Sequence, residues 1–177
     1  DNPMGEATGA AAIFGTTGGV MEAALRTAQD ILTGENLEKI NFEQVRGGEG
    51  IKRATVKIAG KDINIVAASG LSNAKKILEE IKSGKANYQF VEIMACPGGC
   101  VMGGGQPIKS SKIRAEVDVR KLRANSLYSI DEKSHIRKSH ENPVLKQIYA
   151  EYLKEPGGHK AHELLHTHYI KREKYNI

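Results

Sequence analysis

The two cysteines of this 177-residue chain, Cys96 and Cys100, lie in one glycine-rich stretch, residues 94–107. Thiolates are soft ligands that suit zinc, copper(I) and iron–sulfur clusters. Glycines let a backbone pass close to a bulky cofactor because they carry no Cβ. We therefore predict that this stretch holds a metal or a metal cluster. Two cysteines cannot complete a four-thiolate site, so the other ligands must come from elsewhere.

The cysteine pair has three other possible interpretations. Free cysteines can be buried as small apolar side chains without any function. A redox disulfide is disfavoured, because the familiar dithiol motif is C-x-x-C and the spacing here is C-x-x-x-C. A zinc site needs two more ligands, and none lies nearby in the sequence.

Residues 162–166 match the zinc-protease pattern H-E-x-x-H, in which two helical histidines hold zinc and the glutamate acts as a base. The motif comprises His162, Glu163 and His166. Catalytic zinc normally takes three protein ligands, but Tyr169 and Arg172 stand where the longer motif requires glycine and histidine. We interpret this stretch instead as a terminal helix that packs through its two leucines, Leu164 and Leu165.

Two glycine-rich stretches, residues 15–19 and 103–105, invite a phosphate-loop interpretation. Neither is followed by Gly-Lys-Ser/Thr, and neither fits G-x-G-x-x-G after a strand. The first stretch opens a predicted helix, so its N–H groups could face an anion or an anionic cofactor, and a tight turn is the open alternative. Phe14 and Met94 are apolar side chains at the edges of glycine-rich stretches, where ordinary core packing is the alternative to a site role.

The elements that must position these residues begin with a helix. Apolar residues recur at helical spacing over residues 20–32, with Thr17 as a possible cap, Glu22 and Arg26 as an i,i+4 pair, and Gly34 at the expected end. Alternating residues over 54–68 predict a β-hairpin that turns at Gly60-Lys61.

A βαβ unit follows. Ser72 is expected to cap a helix over residues 72–83, and residues 88–95 are expected to form a buried strand that is apolar on both faces near its end. The inward residues of that helix are predicted to be Ala74, Ile77, Leu78 and Ile81. Such a unit has parallel strands with a right-handed crossover, so the cysteine stretch leaves the C-terminal end of a parallel strand, where open α/β sheets bind ligands.

The remainder of the chain has a different charge. Residues 1–108 hold 11 Lys and Arg and 12 Asp and Glu, a net of −1, whereas residues 109–177 hold 15 and 9, a net of +6. Short amphipathic helices are predicted over 114–130, 143–154 and 159–168. We expect an α/β fold in which a parallel-sheet lobe with a βαβ unit, residues 1–107, is followed by a helical C-terminal wrap, residues 108–177.

Composition also limits the class of protein. The basic tail lacks interleaved aromatic residues, which favours a solvated face over a nucleic-acid surface. No apolar stretch reaches the length of a membrane span, and no secretory signal is present, so we expect a cytoplasmic protein.

Four stretches resemble the iron-only hydrogenases. Residues 94–107, MACPGGCVMGGGQP, closely resemble the third signature of that family. Residues 13–26 resemble a second stretch of its catalytic domain, and residues 137–143 and 162–169 resemble its small-subunit region. The resemblance therefore runs along nearly the whole chain.

This resemblance implies a cofactor and roles for four residues. The family's H-cluster joins a 4Fe-4S cubane to a two-iron subcluster with CO and CN ligands. By resemblance, Cys96 is a cubane ligand and Cys100 also bridges to the two-iron unit, while Met94 and Phe14 line the pocket around that unit. The implied reaction is reversible reduction of protons to H2, with electrons exchanged with ferredoxin or NAD(P).

The sequence also departs from the family. The signatures Thr-Ser-Cys-Cys-Pro and Pro-Cys-x-x-Lys are absent. In the family they carry the other two cubane cysteines, a cysteine that relays protons and a lysine that meets a cyanide. We expect a C-terminal part of the catalytic domain fused to a small-subunit-like tail, inactive and without an intact H-cluster when alone, and prone to self-association. Its expected partners are the missing N-terminal part of the same domain and ferredoxin or NAD(P)-reducing subunits.

A non-enzymatic alternative remains. Related proteins that assemble cytosolic iron–sulfur clusters share the fold and much of the cysteine signature but lack the two-iron unit. We expect the small-subunit-like ending to argue against this alternative.

Overall fold

The structure, a computed structural model, describes residues 5–36, 41–42, 45–46 and 50–173. Its strands are β1 (Ile51–Ile58), β2 (Lys61–Ser69) and β3 (Phe90–Met94). Its α-helices are α1 (Gly9–Ile13), α2 (Gly19–Thr33), α3 (Leu71–Lys82), α4 (Ser111–Glu116), α5 (Val119–Lys133), α6 (Pro143–Ile148) and α7 (His159–Leu165). Two 3-10 turns, Cys100–Met102 and Ser139–Glu141, and a π-helical turn, Tyr149–Leu153, complete the described elements.

The three strands form one sheet in the order β1-β2-β3. β1 and β2 form an antiparallel hairpin, and β2 and β3 are parallel and connected through α3, which confirms the predicted hairpin and βαβ unit. The hairpin turns at Ala59 and Gly60, one residue earlier than predicted, with φ of 47° and 76°. Positive φ at both central residues matches the right-handed twist of the flanking strands.

α2 covers one face of the sheet and α3 contacts the other. Between α2 and the sheet lies a core of Met21, Leu25, Phe42, Val45, Val56, Ile58, Ile65 and Ala67. On the α3 side the buried cluster is smaller and comprises Val66, Ala68 and Ile77. Because successive strand residues face opposite sides of a sheet, β2 contributes to both clusters.

The predicted start and inward face of α3 are partly wrong. Gly70, with φ of 83°, caps the helix at Leu71, so Ser72 is not the cap. Ile77 is buried, but Leu78 and Ile81 are 55% and 39% exposed. Leu78 is displaced by about 100° around the helix from Ile77, and the narrow contact with the sheet does not reach it.

β3 is shorter and less buried than the predicted strand. It spans Phe90–Met94, where residues 88–95 were expected. Ile93 and Met94 at its end are apolar, as predicted, but Ile93 is 40% exposed and Met94 is half-buried. The buried residue of the strand is Glu92 at its middle, on the face toward α2.

The C-terminal helices lie against the first part of the chain, with α5 beside α1. The helix predicted over 114–130 is divided, because Val117 is extended and the Asp118 side chain accepts a hydrogen bond from the Lys121 amide at 3.0 Å. An Asp that caps a new helix competes with continuation of the previous one. α6 begins at Pro143, as predicted, and the Asn142 side chain caps it. Among the described residues, no helix has the length and apolar character needed to cross a membrane.

Candidate functional site

The cysteines follow β3 directly. β2 and β3 end side by side, with Ser69 paired to Met94, and the chain then enters residues 95–103, here called the cysteine loop. Cys96 is half-buried and Cys100, which begins a 3-10 turn, is exposed. Both are free thiols. The pair therefore lies at the C-terminal ends of two parallel strands, as the sequence predicts.

The cysteine loop contacts residues 15–19, here called the glycine loop, through backbone hydrogen bonds. The amide of Thr17 donates to the carbonyl of Gly98 at 3.1 Å, and the amide of Val101 donates to the carbonyl of Gly15 at 3.1 Å. Gly99 has φ of 99°, and a Cβ there would lie 2.6 Å from the Gly15 carbonyl oxygen. Glycine at 99 thus permits the close approach of the two loops.

Glu92 connects β3 to the glycine loop. Its Oε1 accepts a hydrogen bond from the Gly18 amide at 2.5 Å, and its Oε2 accepts one from the Met21 amide at 2.7 Å. The first amides of a helix have no partner within the helix, so this carboxylate caps α2 from a distant strand. Thr17, the predicted cap, does not cap the helix: its Oγ1 is buried without a hydrogen-bond partner among the described residues.

The electrostatics of Glu92 follow from these contacts. Burial raises the pKa of its carboxyl group, and the hydrogen bonds from the Gly18 and Met21 amides oppose that rise. The N-terminus of α2 also favours a negative charge at this position. Because Thr17, Gly18 and Gly19 donate their amides within the protein, the glycine loop functions as a turn rather than as a phosphate loop.

The tail holds both loops from the other side. Arg123 of α5 donates to the carbonyls of Val101 at 2.9 Å and Pro107 at 2.6 Å. Tyr128, one turn and a half further along α5, donates its hydroxyl to Thr16 Oγ1 at 3.2 Å. α5 is thus part of the support of the site, which sequence reasoning missed because no local pattern marks Arg123 or Tyr128.

A cleft of about 710 Å³ lies between α5 and the two loops. Its lining includes Thr16, Arg46, Gly98, Lys121, Tyr128 and Glu132. The Arg46 guanidinium lies 4.3 Å from the centre of the Tyr128 ring. Burial raises the pKa of Tyr128, so the phenol is neutral and serves as a hydrogen-bond donor.

A buried charge cluster lies beneath the site. The guanidinium of Arg26 donates to both carboxylate oxygens of Asp131, at 2.7 and 2.8 Å, and to Glu22 at 2.8 Å. All three side chains are fully buried. Arg46 and Arg137 add positive charge at the edge of the cluster, bound to Glu22 and Asp131 respectively. The predicted Glu22–Arg26 pair is confirmed, and its partner in the tail, Asp131, was not predicted.

Two opposing effects act on the pKa of Asp131. Burial alone disfavours its charged form, but the hydrogen bonds and charges of Arg26 and Arg137 outweigh burial and hold its pKa below the usual range. Opposite charges at hydrogen-bond distance shift a carboxyl pKa in this direction. Asp131 is therefore an anion that joins the tail to α2.

Phe14 and Met94 occupy different surroundings. Met94 is half-buried at the end of β3, two residues before Cys96. Phe14 is 43% exposed and lines a groove of about 390 Å³ with α2 residues and Ser139. The glycine loop follows Phe14 directly, so both residues border the joined loops. A role for either in lining a cofactor pocket stays a prediction.

The histidines of α7 do not form a prepared zinc site. The rings of His162 and His166 have centroids 4.2 Å apart, and both residues are exposed. Within the described ranges, the side chains that bring three potential ligand atoms within 4.8 Å of one another are Asp30, His140 and Glu141, at a different place. The Lys138 ammonium lies 2.6 Å from Asp30 there, which disfavours a second cation.

The predicted packing of α7 is also wrong in one respect. Leu164 and Leu165 are 52% and 58% exposed, so they do not anchor the helix. The buried residue of α7 is Ala161.

Two family models match the chain. Residues 1–104 match "Iron only hydrogenase large subunit, C-terminal domain", and residues 117–172 match "Iron hydrogenase small subunit". The NADP-reducing hydrogenase subunit HndD of Solidesulfovibrio fructosivorans is 47% identical over 98% of this chain and 29% of its own length. Iron hydrogenase 1 of Clostridium pasteurianum is 48% identical over 97% of this chain and 30% of its own length.

Solved structures agree. A variant of [FeFe]-hydrogenase HydA1 from Chlamydomonas reinhardtii superimposes with a TM-score of 0.70 at 43% identity, over 96% of this chain and 48% of that chain. The chain thus spans about three tenths of the curated relatives and just under half of HydA1. Protein NAR1 of Arabidopsis thaliana is more distant, at 33% identity over 89% of this chain and 33% of its own length.

Proposed function

The chain belongs to the iron-only hydrogenase family, and on this premise we propose that it supplies two ligands and the supporting loops of an H-cluster. The enzyme containing it would catalyse the reversible oxidation of H2 to protons and electrons. The observation that carries this proposal is the cysteine loop: two free thiols at the ends of parallel strands, held against the glycine loop.

The donor set fits part of the cofactor. Cys96 would bind the cubane, and Cys100, which is exposed, would bind the cubane and bridge to the two-iron subcluster with its CO and CN ligands. Thiolates are the usual protein ligands of iron–sulfur clusters. The sequence has two cysteines, so two thiolates of a four-cysteine cubane would have to be supplied from elsewhere.

The cofactor would supply electron transfer and hydrogen chemistry, and the protein residues would supply position and environment. The backbone hydrogen bonds between the cysteine loop and the glycine loop would fix the backbone around Cys96 and Cys100 and, with it, the orientation of their side chains. Phe14 and Met94, as apolar neighbours of the loops, would limit the access of water. Outer contacts of this kind orient metal ligands and tune the metal.

Partners follow from the relatives. HndD is named as a subunit of an NADP-reducing hydrogenase, which supports electron exchange with NAD(P)-linked subunits, and ferredoxin is the alternative donor. The rest of the catalytic domain would complete the site. A cytoplasmic location, the absence of nucleic-acid binding and self-association of the isolated chain stay predictions.

The proposal is tested by changing Cys96 to Ser in the full-length protein that contains this chain. Loss of one cubane ligand should lower H2 production from a reduced viologen at least about 100-fold and should lower the iron bound per chain. Glu79→Gln on the exposed side of α3 is the control and should change neither quantity. Wild-type iron content and activity in the Cys96 variant would overturn the proposal.

The iron–sulfur assembly class is the second candidate, because NAR1 is 33% identical over 160 residues. A match of that length extends into the tail, so the tail does not separate the two classes as the sequence led us to expect. The higher identity to hydrogenases, 47% and 48%, favours the enzyme. A purified protein that binds iron and sulfide but neither makes nor consumes H2 would favour the assembly class.

A further inference from the structure

We propose that Glu92 is a positioning residue for the cysteine loop, acting through the glycine loop, and that it governs how firmly the cluster is retained. The role rests on the proposed function for the cluster, but the contact itself is independent of it. The side-chain hydrogen bonds of Glu92 go to the Gly18 and Met21 amides and not to either cysteine, so we expect its effect on the site to pass through backbone bonds.

The Glu92 carboxylate is buried between the sheet and α2. Glu92 is paired with Ala67 of β2 and lies on the α2 side of the sheet, beside the apolar core to which Ala67 belongs. It is 8% exposed. A buried charge costs free energy unless it is hydrogen-bonded. Both of its oxygens are hydrogen-bonded, to the amides of Gly18 and Met21.

The glycine loop provides no side-chain cap for α2. A Cβ at Gly18 would collide with the Val45 carbonyl, and a Cβ at Gly19 would collide with the Ile13 carbonyl. The neighbouring Thr17 Oγ1 makes no hydrogen bond among the described residues. The carboxylate of β3 therefore replaces the local cap that this crowded loop cannot provide.

Contacts among β3, the cysteine loop and the glycine loop form a closed ring. The cysteine loop continues from β3, and it is hydrogen-bonded to the glycine loop through Gly98 and Val101. The glycine loop returns to β3 through Glu92, only four residues before Cys96. A shift of the glycine loop would therefore move the Gly98 carbonyl and, with it, the segment between the two cysteines.

The test compares Glu92→Gln with two controls in the full-length protein. Gln keeps the shape but places an NH2 group against one amide donor, so one of the two bonds is lost. We expect hydrogen exchange at the Gly18 and Met21 amides to accelerate about tenfold. We also expect iron loss to a chelator to accelerate several-fold, with the iron-binding cysteines intact.

Controls separate positioning from loss of stability. Glu79→Gln makes the same chemical change on exposed α3 and should alter neither measurement. Val56→Ala opens the core between the sheet and α2 without touching either loop, and it should lower the unfolding temperature without selective iron loss. Equal iron loss in Val56→Ala and Glu92→Gln, at equal unfolding temperature, would overturn the proposal.

A second variant covers the case in which Glu92→Gln does not fold. Glu92→Asp keeps the charge but is shorter by one methylene, so it should reach only one of the two amides and should also give faster amide exchange and faster iron loss than wild type. Unchanged exchange in this variant contradicts the positioning role. Hydrogen exchange could accelerate only at the Gly18 and Met21 amides of the Glu92 variants while the wild-type protein has no hydrogenase activity. That result would support the contact of Glu92 with the glycine loop and refute the proposed function.

Discussion

At the residue scale, Glu92 joins parts of the site that are far apart in the sequence. Its carboxylate accepts hydrogen bonds from the amides of Gly18 and Met21, which are 74 and 71 residues away. Cys96 follows Glu92 by four residues, so the cysteine loop and the start of α2 are anchored at the same end of β3.

Thr16 and Thr17 provide a matched pair of substitutions. Thr17 Oγ1 is buried without a described partner, so Thr17→Val removes an unsatisfied hydroxyl and should leave the free energy of unfolding unchanged or raise it by about 1 kcal/mol. Thr16 Oγ1 donates to the Ile13 carbonyl at 2.9 Å and accepts from Tyr128. Thr16→Val should therefore lower that free energy by about 1–3 kcal/mol.

Urea unfolding of both variants checks this prediction. A larger loss of stability in Thr17→Val than in Thr16→Val would show that the hydrogen bonds of the two hydroxyls are assigned the wrong way round.

At the element scale, short-range patterns predicted α2, the hairpin and the βαβ unit, because apolar spacing and glycine turns are local signals. Two features were missed because they depend on which neighbour a residue meets in the folded chain: the exposure of Leu78 and the capping of α2 by Glu92. The division of the helix at Asp118 is a local effect, since Asp118 caps the Lys121 amide three residues further on. The spacing of apolar residues predicts which face of a helix is apolar, but it does not predict how much of that face the rest of the protein covers.

The contact between α2 and α5 gives a prediction about pH. Asp131→Asn removes the carboxylate charge beside the buried Arg26, which keeps its bonds to Glu22 and to the Arg137 carbonyl, and at neutral pH it should lower the free energy of unfolding by about 3 kcal/mol. The pKa of Asp131 is lowered by folding, so its contribution is present above its unfolded pKa of about 4 and is lost as pH falls through the lower folded value.

Urea unfolding at pH 7 and pH 3 measures this effect. The difference between wild type and Asp131→Asn should narrow at pH 3. Asp62→Asn, an exposed change on β2, should cost less than about 0.5 kcal/mol at either pH. A difference that widens toward acid would contradict the sign of the Asp131 shift.

At the scale of the whole molecule, the tail is joined to the first part of the chain by more than its covalent link. The Arg26–Asp131 and Asp30–Lys138 pairs connect α2 to the tail, at 2.7 and 2.6 Å. The connecting stretch, residues 104–118, is exposed throughout. The net charges of the two parts, −1 and +6, are also of opposite sign. Because the ion pairs are buried and residues 104–118 are exposed, we expect the tail to stay bound to α2 even without its covalent link.

Cleavage of the connection tests this view. With a protease site inserted between Gly104 and Gly105, where an added Cβ meets nothing within 4 Å, the two parts should stay together on size-exclusion chromatography after cleavage. Asp131→Arg, which places a cation beside Arg26, should release them. Separation without that substitution would show that the linker, not the buried pairs, holds the tail.

The central claim is that the cysteine loop binds an H-cluster, and infrared spectroscopy of the full-length protein tests it most directly. Metal-bound CO and CN absorb where protein does not, so their bands report the two-iron subcluster independently of activity. We predict these bands in the wild-type protein, their retention in Glu79→Gln, and their loss or displacement in Cys100→Ser, which removes the thiolate proposed to bridge to the two-iron subcluster. A wild-type protein without the bands, or a Cys100→Ser variant with an unchanged spectrum, would contradict the account.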